Sequence, residues 1–160
     1  MSERLKAFKK KDGEIRLSGD NISMLHYEWD QDSGSWYIDE FMASSDNKGI
    51  GTALARCFVE TIGYNQRVWS DIRDDSSKDV IRSFMEETDV LEITDPKILD
   101  RIRISHIANK CGIRTECIIA KYADPEESGY RYDEVLEMTS LGNPDVKDGK
   151  VFMATWVGTT

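Results

Sequence analysis

Between residues 14 and 43 the chain alternates apolar and polar positions. Ile15 and Leu17 stand between polar neighbours, Ile22-Ser-Met-Leu-His-Tyr-Glu-Trp29 is extended in character, and Ser35-Trp-Tyr-Ile-Asp-Glu-Phe-Met42 is aromatic and β-rich. Gly19-Asp-Asn21 and Asp30-Gln-Asp-Ser-Gly34 supply the turn residues between these runs, so the segment predicts a three-stranded antiparallel meander. The period then lengthens. Ile50, Leu54, Phe58 and Ile62 recur every four residues, the stripe of an amphipathic helix, and Gly63 ends it.

Arg67-Val-Trp-Ser-Asp-Ile72 reads as a short strand, and Asp74-Asp-Ser-Ser77 offers capping side chains to a helix through Val80, Ile81, Phe84 and Met85. Strand, glycine turn, helix and strand make a right-handed crossover if the two strands share a sheet. Asp95-Pro96 opens a further helix carrying Ile98, Leu99, Ile102, Ile104, Ile107, Ala108 and Cys111, with Gly112 as its stop. Residues 113–122 predict a buried strand, 123–131 a loop, 132–141 a strand, and 151–157 a final strand after the turn at Asn143-Pro144 to Gly149. Residues 1–13 hold Lys6, Lys9, Lys10 and Lys11 before an Asp12-Gly13 turn and suit a short strand or a loose arm. No repeat or linker divides the chain, so residues 1–160 are expected to form one α+β domain.

Composition changes this picture in three ways. Thirty acidic against twenty-one basic residues give a formal charge of −9, which disfavours a partner bound through its phosphate backbone, so no direct nucleic-acid contact is expected. No run approaches the ~20 apolar residues of a membrane helix, and the first residues lack the apolar centre of a signal peptide, so a cytoplasmic protein without membrane attachment is expected. Cys57, Cys111 and Cys117 lie in apolar segments without CxxC spacing and there are two histidines, so reduced core thiols and no metal are expected.

The segment with chemical content is residues 44–53. A Gly-x-Gly at a strand-to-helix junction lets main-chain N–H groups approach an anion, because glycine has no Cβ and a helix start leaves its first amides without internal partners. Phosphate or pyrophosphate is the ligand chemistry, with Lys48 adding a positive charge at the rim; a plain tight turn that permits close helix packing reads equally well. The Walker pattern and the third glycine of a dinucleotide-binding turn are both missing, and the preceding strands are hairpin-connected.

On Glu40-Phe-Met-Ala-Ser-Ser-Asp-Asn-Lys-Gly-Ile-Gly-Thr-Ala-Leu-Ala55 and Arg67-Val-Trp-Ser-Asp-Ile-Arg-Asp-Asp-Ser76, set in this order of elements, the chain resembles the GNAT acetyltransferase superfamily over roughly residues 14–157. The resemblance implies a mixed, largely antiparallel sheet with helices on both faces. It also implies acetyl-CoA as co-substrate, with its pyrophosphate held by Asn47, Lys48, Gly49, Ile50, Gly51 and Thr52. The strand before that loop splays from its neighbour in the family, so Phe41, Met42 and Ala43 would meet the pantetheine arm. Where the family pattern usually has Arg or Gln three residues before the first glycine, this chain has Asp46. The tyrosine that often protonates the departing thiolate falls at Phe84 or at Ala108, depending on the alignment; Ser76, Ser77, Ser83, Ser105 and His106 are the nearby alternatives.

Acyl transfer to an amine needs a proton acceptor. Asp39 and Glu40 stand before the apolar strand end, where alternation sends them to opposite faces, and Glu40 is the candidate base, with a plain exposed charge as the competing reading. Family members begin with a strand and two helices that wall the acceptor groove, for which residues 1–13 leave no room; the partner of a homodimer, the 123–131 loop, or nothing takes that side. Trp29, Trp36, Tyr37, Tyr130, Tyr132 and Trp156 line a groove or pack as core and cross-strand pairs. The expected function is an N-acyltransferase moving an acetyl group to an amine of a small molecule or protein, a cationic one by charge complementarity. The alternative is a non-enzymatic acidic binding or regulatory protein on the same fold.

Overall fold

The computed structural model describes residues 8–19, 22–44 and 49–160. The alternating segment forms β2 (Glu14–Leu17), β3 (Met24–Asp30) and β4 (Ser35–Met42), an antiparallel meander. Residues before the Asp12-Gly13 turn add β1 (Phe8–Lys11) to its edge. Gly13 is needed at that turn. Its φ is +75°, the Tyr27 amide bonds its carbonyl at 3.0 Å, and a Cβ would stand 2.9 Å from the Tyr27 carbonyl oxygen.

The four-residue period becomes α1 (Ile50–Ile62), which buries Ile50, Leu54, Ala55, Cys57, Phe58 and Val59 and stops at Gly63, whose amide bonds the Val59 carbonyl at 2.9 Å. It leads into β5 (Arg67–Asp71), which lies beside β4 and parallel to it. Next comes α2 (Asp75–Ser83), capped by the Asp74 carboxylate, which accepts the Ser77 amide at 3.0 Å. The remaining elements are β6 (Val90–Ile93), α3 (Pro96–Leu99), α4 (Arg103–Lys110), β7 (Arg114–Ala123), α5 (Pro125–Ser128), α6 (Tyr132–Ser140), β8 (Val146–Lys147) and β9 (Lys150–Thr159).

The sheet is open and mostly antiparallel, in the order β1-β2-β3-β4-β5-β9-β7-β6, with β8 paired to β9. The C-terminal strand is therefore inserted beside β5, and Ser70 stands opposite Trp156. Helix α1 packs on β2 and β3, and both α1 and α2 touch α4. The core under them holds Ile15, Leu25, Phe58, Val68, Ile81, Ile118 and Trp156, all 1% exposed or less.

Three expectations are corrected. Residues 132–141 are helix, not strand: Asp133 and Glu134 occupy the first turn, Glu134 accepts the Arg131 amide at 3.3 Å, and Val135 alone turns inward, a helical rather than a two-residue period. The single helix expected from Asp95 to Cys111 is two, because Ile102 is extended (φ −102°, ψ 127°) with its side chain fully buried in the core. Pro125 starts a one-turn helix within the 123–131 loop. The sequence reading also passed over β6, which pairs with β7 at the sheet edge.

Candidate functional site

Strands β4 and β5 share two rungs, Trp36 with Val68 and Tyr37 with Trp69, and then part. Beyond them the Ile38 carbonyl accepts the Ser70 hydroxyl at 3.2 Å in place of a main-chain partner, and the Ile72 amide turns to Ala154 on β9 at 2.9 Å. β4 itself runs on, paired to β3 as far as Met42 opposite Met24. The result is a wedge with the end of β4 on one side and the end of β5 on the other.

Helix α1 begins at the open end of this wedge. A Cβ on Gly51 would lie 3.7 Å from both Ala43 Cβ and Phe41 Cε1, so the first turn of the helix rides directly on the end of β4. Gly49 holds φ +86° and offers no side-chain cap. Helical bonding starts with the Ala53 amide on the Gly49 carbonyl at 3.0 Å, and among the described residues nothing accepts from the amides of Ile50, Gly51 and Thr52. Phe41 and Met42 are 36% and 46% exposed, large apolar side chains left uncovered at the strand end. Asn47 and Lys48, expected to join them, and Asp46, lie outside the described residues.

The sheet face away from α1 is polar. On β2 and β3, Ile15, Leu17 and Leu25 turn toward the core, so Glu14, Arg16, His26 and Glu28 take the other face. On β4 a bulge changes the sequence expectation. Glu40 pairs with His26 and Ile38 with Tyr27, leaving Asp39 as an extra residue. Strict alternation would put Glu40 on the face of Ile38; the extra residue instead puts Glu40 on the open face together with Tyr37. Asp39 and Glu40 are not divided between the faces as simple alternation requires.

Glu40 there ends a row of ionisable groups. Its Oε2 is 3.9 Å from His26 Nδ1, His26 Nε2 is 2.9 Å from Glu14 Oε2, and Glu14 Oε1 receives the Arg16 guanidinium at 2.7 Å. Burial pulls the Glu14 carboxyl upward, but hydrogen bonds from Arg16 and His26 outweigh it and hold the group below its ordinary value. With Glu14 fixing one ring nitrogen, the other faces Glu40.

At the last shared rung stands a phenol that sequence alone did not single out for proton transfer. Tyr37 donates to Asp71 Oδ2 at 2.9 Å and stacks on Trp69 with centroids 4.1 Å apart. Burial, the Asp71 hydrogen bond and the Asp71 charge push its pKa up to about 12, so it remains a neutral donor at physiological pH. Phe84 and Ala108, where the resemblance read in the sequence would put a tyrosine, take framework places: Phe84 caps the end of α2 under the Arg101 guanidinium, 5.7 Å from the ring centroid, and Ala108 is core. The Ser77 and Ser105 hydroxyls are buried and without a partner among the described residues.

Of the aromatic residues considered for a groove, Trp156 is core at 1% exposure, and Trp36 joins an edge-on cluster with Tyr27, Trp29 and Phe58. The three cysteines are buried free thiols, and among the described residues no group of histidine, cysteine or acidic side chains is arranged to hold a metal. No described helix is long and apolar enough to cross a membrane. Comparison of the chain with protein-family models, with curated proteins and with solved structures finds no match in any of the three.

Proposed function

We propose that this chain is an acyl-CoA-dependent N-acyltransferase on a GNAT-like sheet, moving an acetyl group directly to an amine. The observation that carries the reading is the wedge: a parallel strand pair that parts after the Tyr37–Trp69 rung, with helix amides at its open end that have no acceptor among the described residues. Unpaired amides at a helix start suit a pyrophosphate, and the exposed Phe41 and Met42 suit a pantetheine chain laid along β4. The meander followed by a parallel crossover is a further support for this reading. Glu40 is 44% exposed on its face of the sheet, which suits access by an acceptor.

In the transfer, the amine lone pair forms a C–N bond to the thioester carbonyl as the C–S bond breaks. Glu40, backed by His26, receives the ammonium proton directly or through water, and the departing thiolate leaves as the free thiolate of the co-substrate or takes a proton from water. The experiment is a thermal shift with acetyl-CoA. Ligand at a hundred times its Kd should add about 2.7 kcal/mol of stability. Gly49→Glu, which places a carboxylate where the anion would sit, should remove the shift. No shift at millimolar acetyl-CoA would favour the second reading, an acidic binding protein without catalysis, for which Phe84 and Ala108 at the family tyrosine positions are the supporting observation.

A further inference from the structure

Strand β5 gives its two edges to different neighbours. Val68, Ser70 and, just past the strand end, Ile72 are buried on the core face. Their main-chain groups serve β9: Ser70 is paired with Trp156, and the Ile72 amide bonds the Ala154 carbonyl at 2.9 Å. By alternation, the main-chain groups of Trp69 and Asp71 turn toward β4. In a continuing parallel ladder the bond after the Tyr37–Trp69 rung would run from the Asp71 amide to the Ile38 carbonyl. That rung, Ile38 with Ser70, is not formed.

The Ser70 hydroxyl stands in its place. It donates to the Ile38 carbonyl at 3.2 Å and lies 3.3 Å from the Asp71 carbonyl, which alternation also aims at β4. One side chain therefore sits on both acceptors that further zipping would use. On the open face the Tyr37 phenol donates to Asp71 Oδ2 at 2.9 Å, tying β5 to β4 through side chains where the main-chain bond is missing. A buried carbonyl needs a donor, and with the hydroxyl gone the Asp71 amide is the one in register to supply it. The competing cause of the parting is the extra residue Asp39, whose bulge bends β4 one residue beyond Ile38. Ser70 differs in bonding the Ile38 carbonyl itself.

We propose that the Ser70 hydroxyl holds β4 and β5 apart, and that without it the pair zips by one rung, Asp71 amide to Ile38 carbonyl, and narrows the wedge. Ser70 is then a positioning residue that acts through the two strand ends. The branch point stands on its own geometry; its effect on acetyl-CoA rests on the acyltransferase reading.

Residue-resolved amide hydrogen exchange on the full chain, comparing Ser70→Thr with Ser70→Val, tests it. Both replacements are β-branched and of the same shape, and they differ in the hydroxyl. In Ser70→Val the Asp71 amide should exchange about tenfold more slowly than in the parent, while Ser70→Thr keeps the parent's rate. Ser70→Ala, which adds no bulk opposite Trp156, should follow Ser70→Val, so a valine variant that fails to fold leaves the test intact. Equal Asp71 exchange in the threonine variant and in those without a hydroxyl would overturn the proposal and assign the parting to the Asp39 bulge. Acetyl-CoA separates the two readings. Ser70→Val should weaken its binding about tenfold and Ser70→Thr should leave it unchanged. Slowed Asp71 exchange with undiminished acetyl-CoA binding would overturn the positioning role. Slowed exchange in a protein whose parent shows no acetyl-CoA shift supports the branch point and removes the transferase.

Discussion

Replacing Gly51 by alanine should raise stability and lower acetyl-CoA binding at once. Gly51 is the second residue of α1 and has ordinary helical φ, so alanine introduces no strain. Its new methyl would meet Ala43 and Phe41 at 3.7 Å, normal van der Waals contact. Removing glycine's freedom in the unfolded chain is worth about 0.4–1 kcal/mol. For a domain of this size each kcal/mol moves Tm by ~2–4 °C, so the free protein should melt roughly 1–4 °C higher. The same methyl occupies the seam between the helix amides and the strand end, where the proposed reading puts the pyrophosphate. A tenfold loss of affinity, about 1.4 kcal/mol, would take ~3–6 °C from the ligand-induced shift. Differential scanning fluorimetry on both proteins, with and without acetyl-CoA, reads both effects in one experiment. An undiminished shift in the variant would show that this turn does not hold the ligand. A lower Tm for the free variant would show that the seam between α1 and β4 is tighter than described.

Two further expectations concern the framework. Asp74→Ala removes the α2 cap and should cost about 1 kcal/mol in urea unfolding at neutral pH. Burial raises the Asp74 carboxyl, but hydrogen bonds from Ser77 and Ser76 outweigh it and leave the folded-state pKa depressed. Its contribution is therefore present above the unfolded value of about 3.9 and disappears as pH falls through the folded one, so parent and variant should converge in stability in acid; a constant gap would refute the linkage. Phe58→Ala empties a fully buried site against Tyr27, whose ring lies 5.2 Å away, and should cost about 3–5 kcal/mol by equilibrium denaturation; a loss under ~1 kcal/mol would mean that α1 does not pack on the meander there.

Helix α1 was legible because its signal is local: Ile50, Leu54 and Phe58 lie on one stripe and Gly63 ends it within a few residues. The Asp74 and Asp95 caps were legible for the same reason, since each carboxylate reaches an amide two or three residues away. Helix α6 was misread because one inward residue, Val135, leaves too weak a stripe to outweigh the tyrosine and leucine content of residues 132–141. The break at Ile102 was hidden because its apolar spacing continues through the bend, and only burial against the sheet decides that the chain turns there.

The site divides along the same line. The sequence by itself determined the apolar strand end at Phe41 and Met42, the glycines at 49 and 51 and the helix that follows, because each is a property of neighbours along the chain. Tertiary structure decided where β4 and β5 part, since that depends on Ser70 and Ile72 finding partners on other strands. It also decided that Asp39 bulges, which turns Glu40 toward His26 and places it on the face of Tyr37. Strand register is set by pairings between residues far apart in sequence, and a shift of one residue exchanges the two faces of a strand, so no local pattern could have assigned those side chains to a common surface.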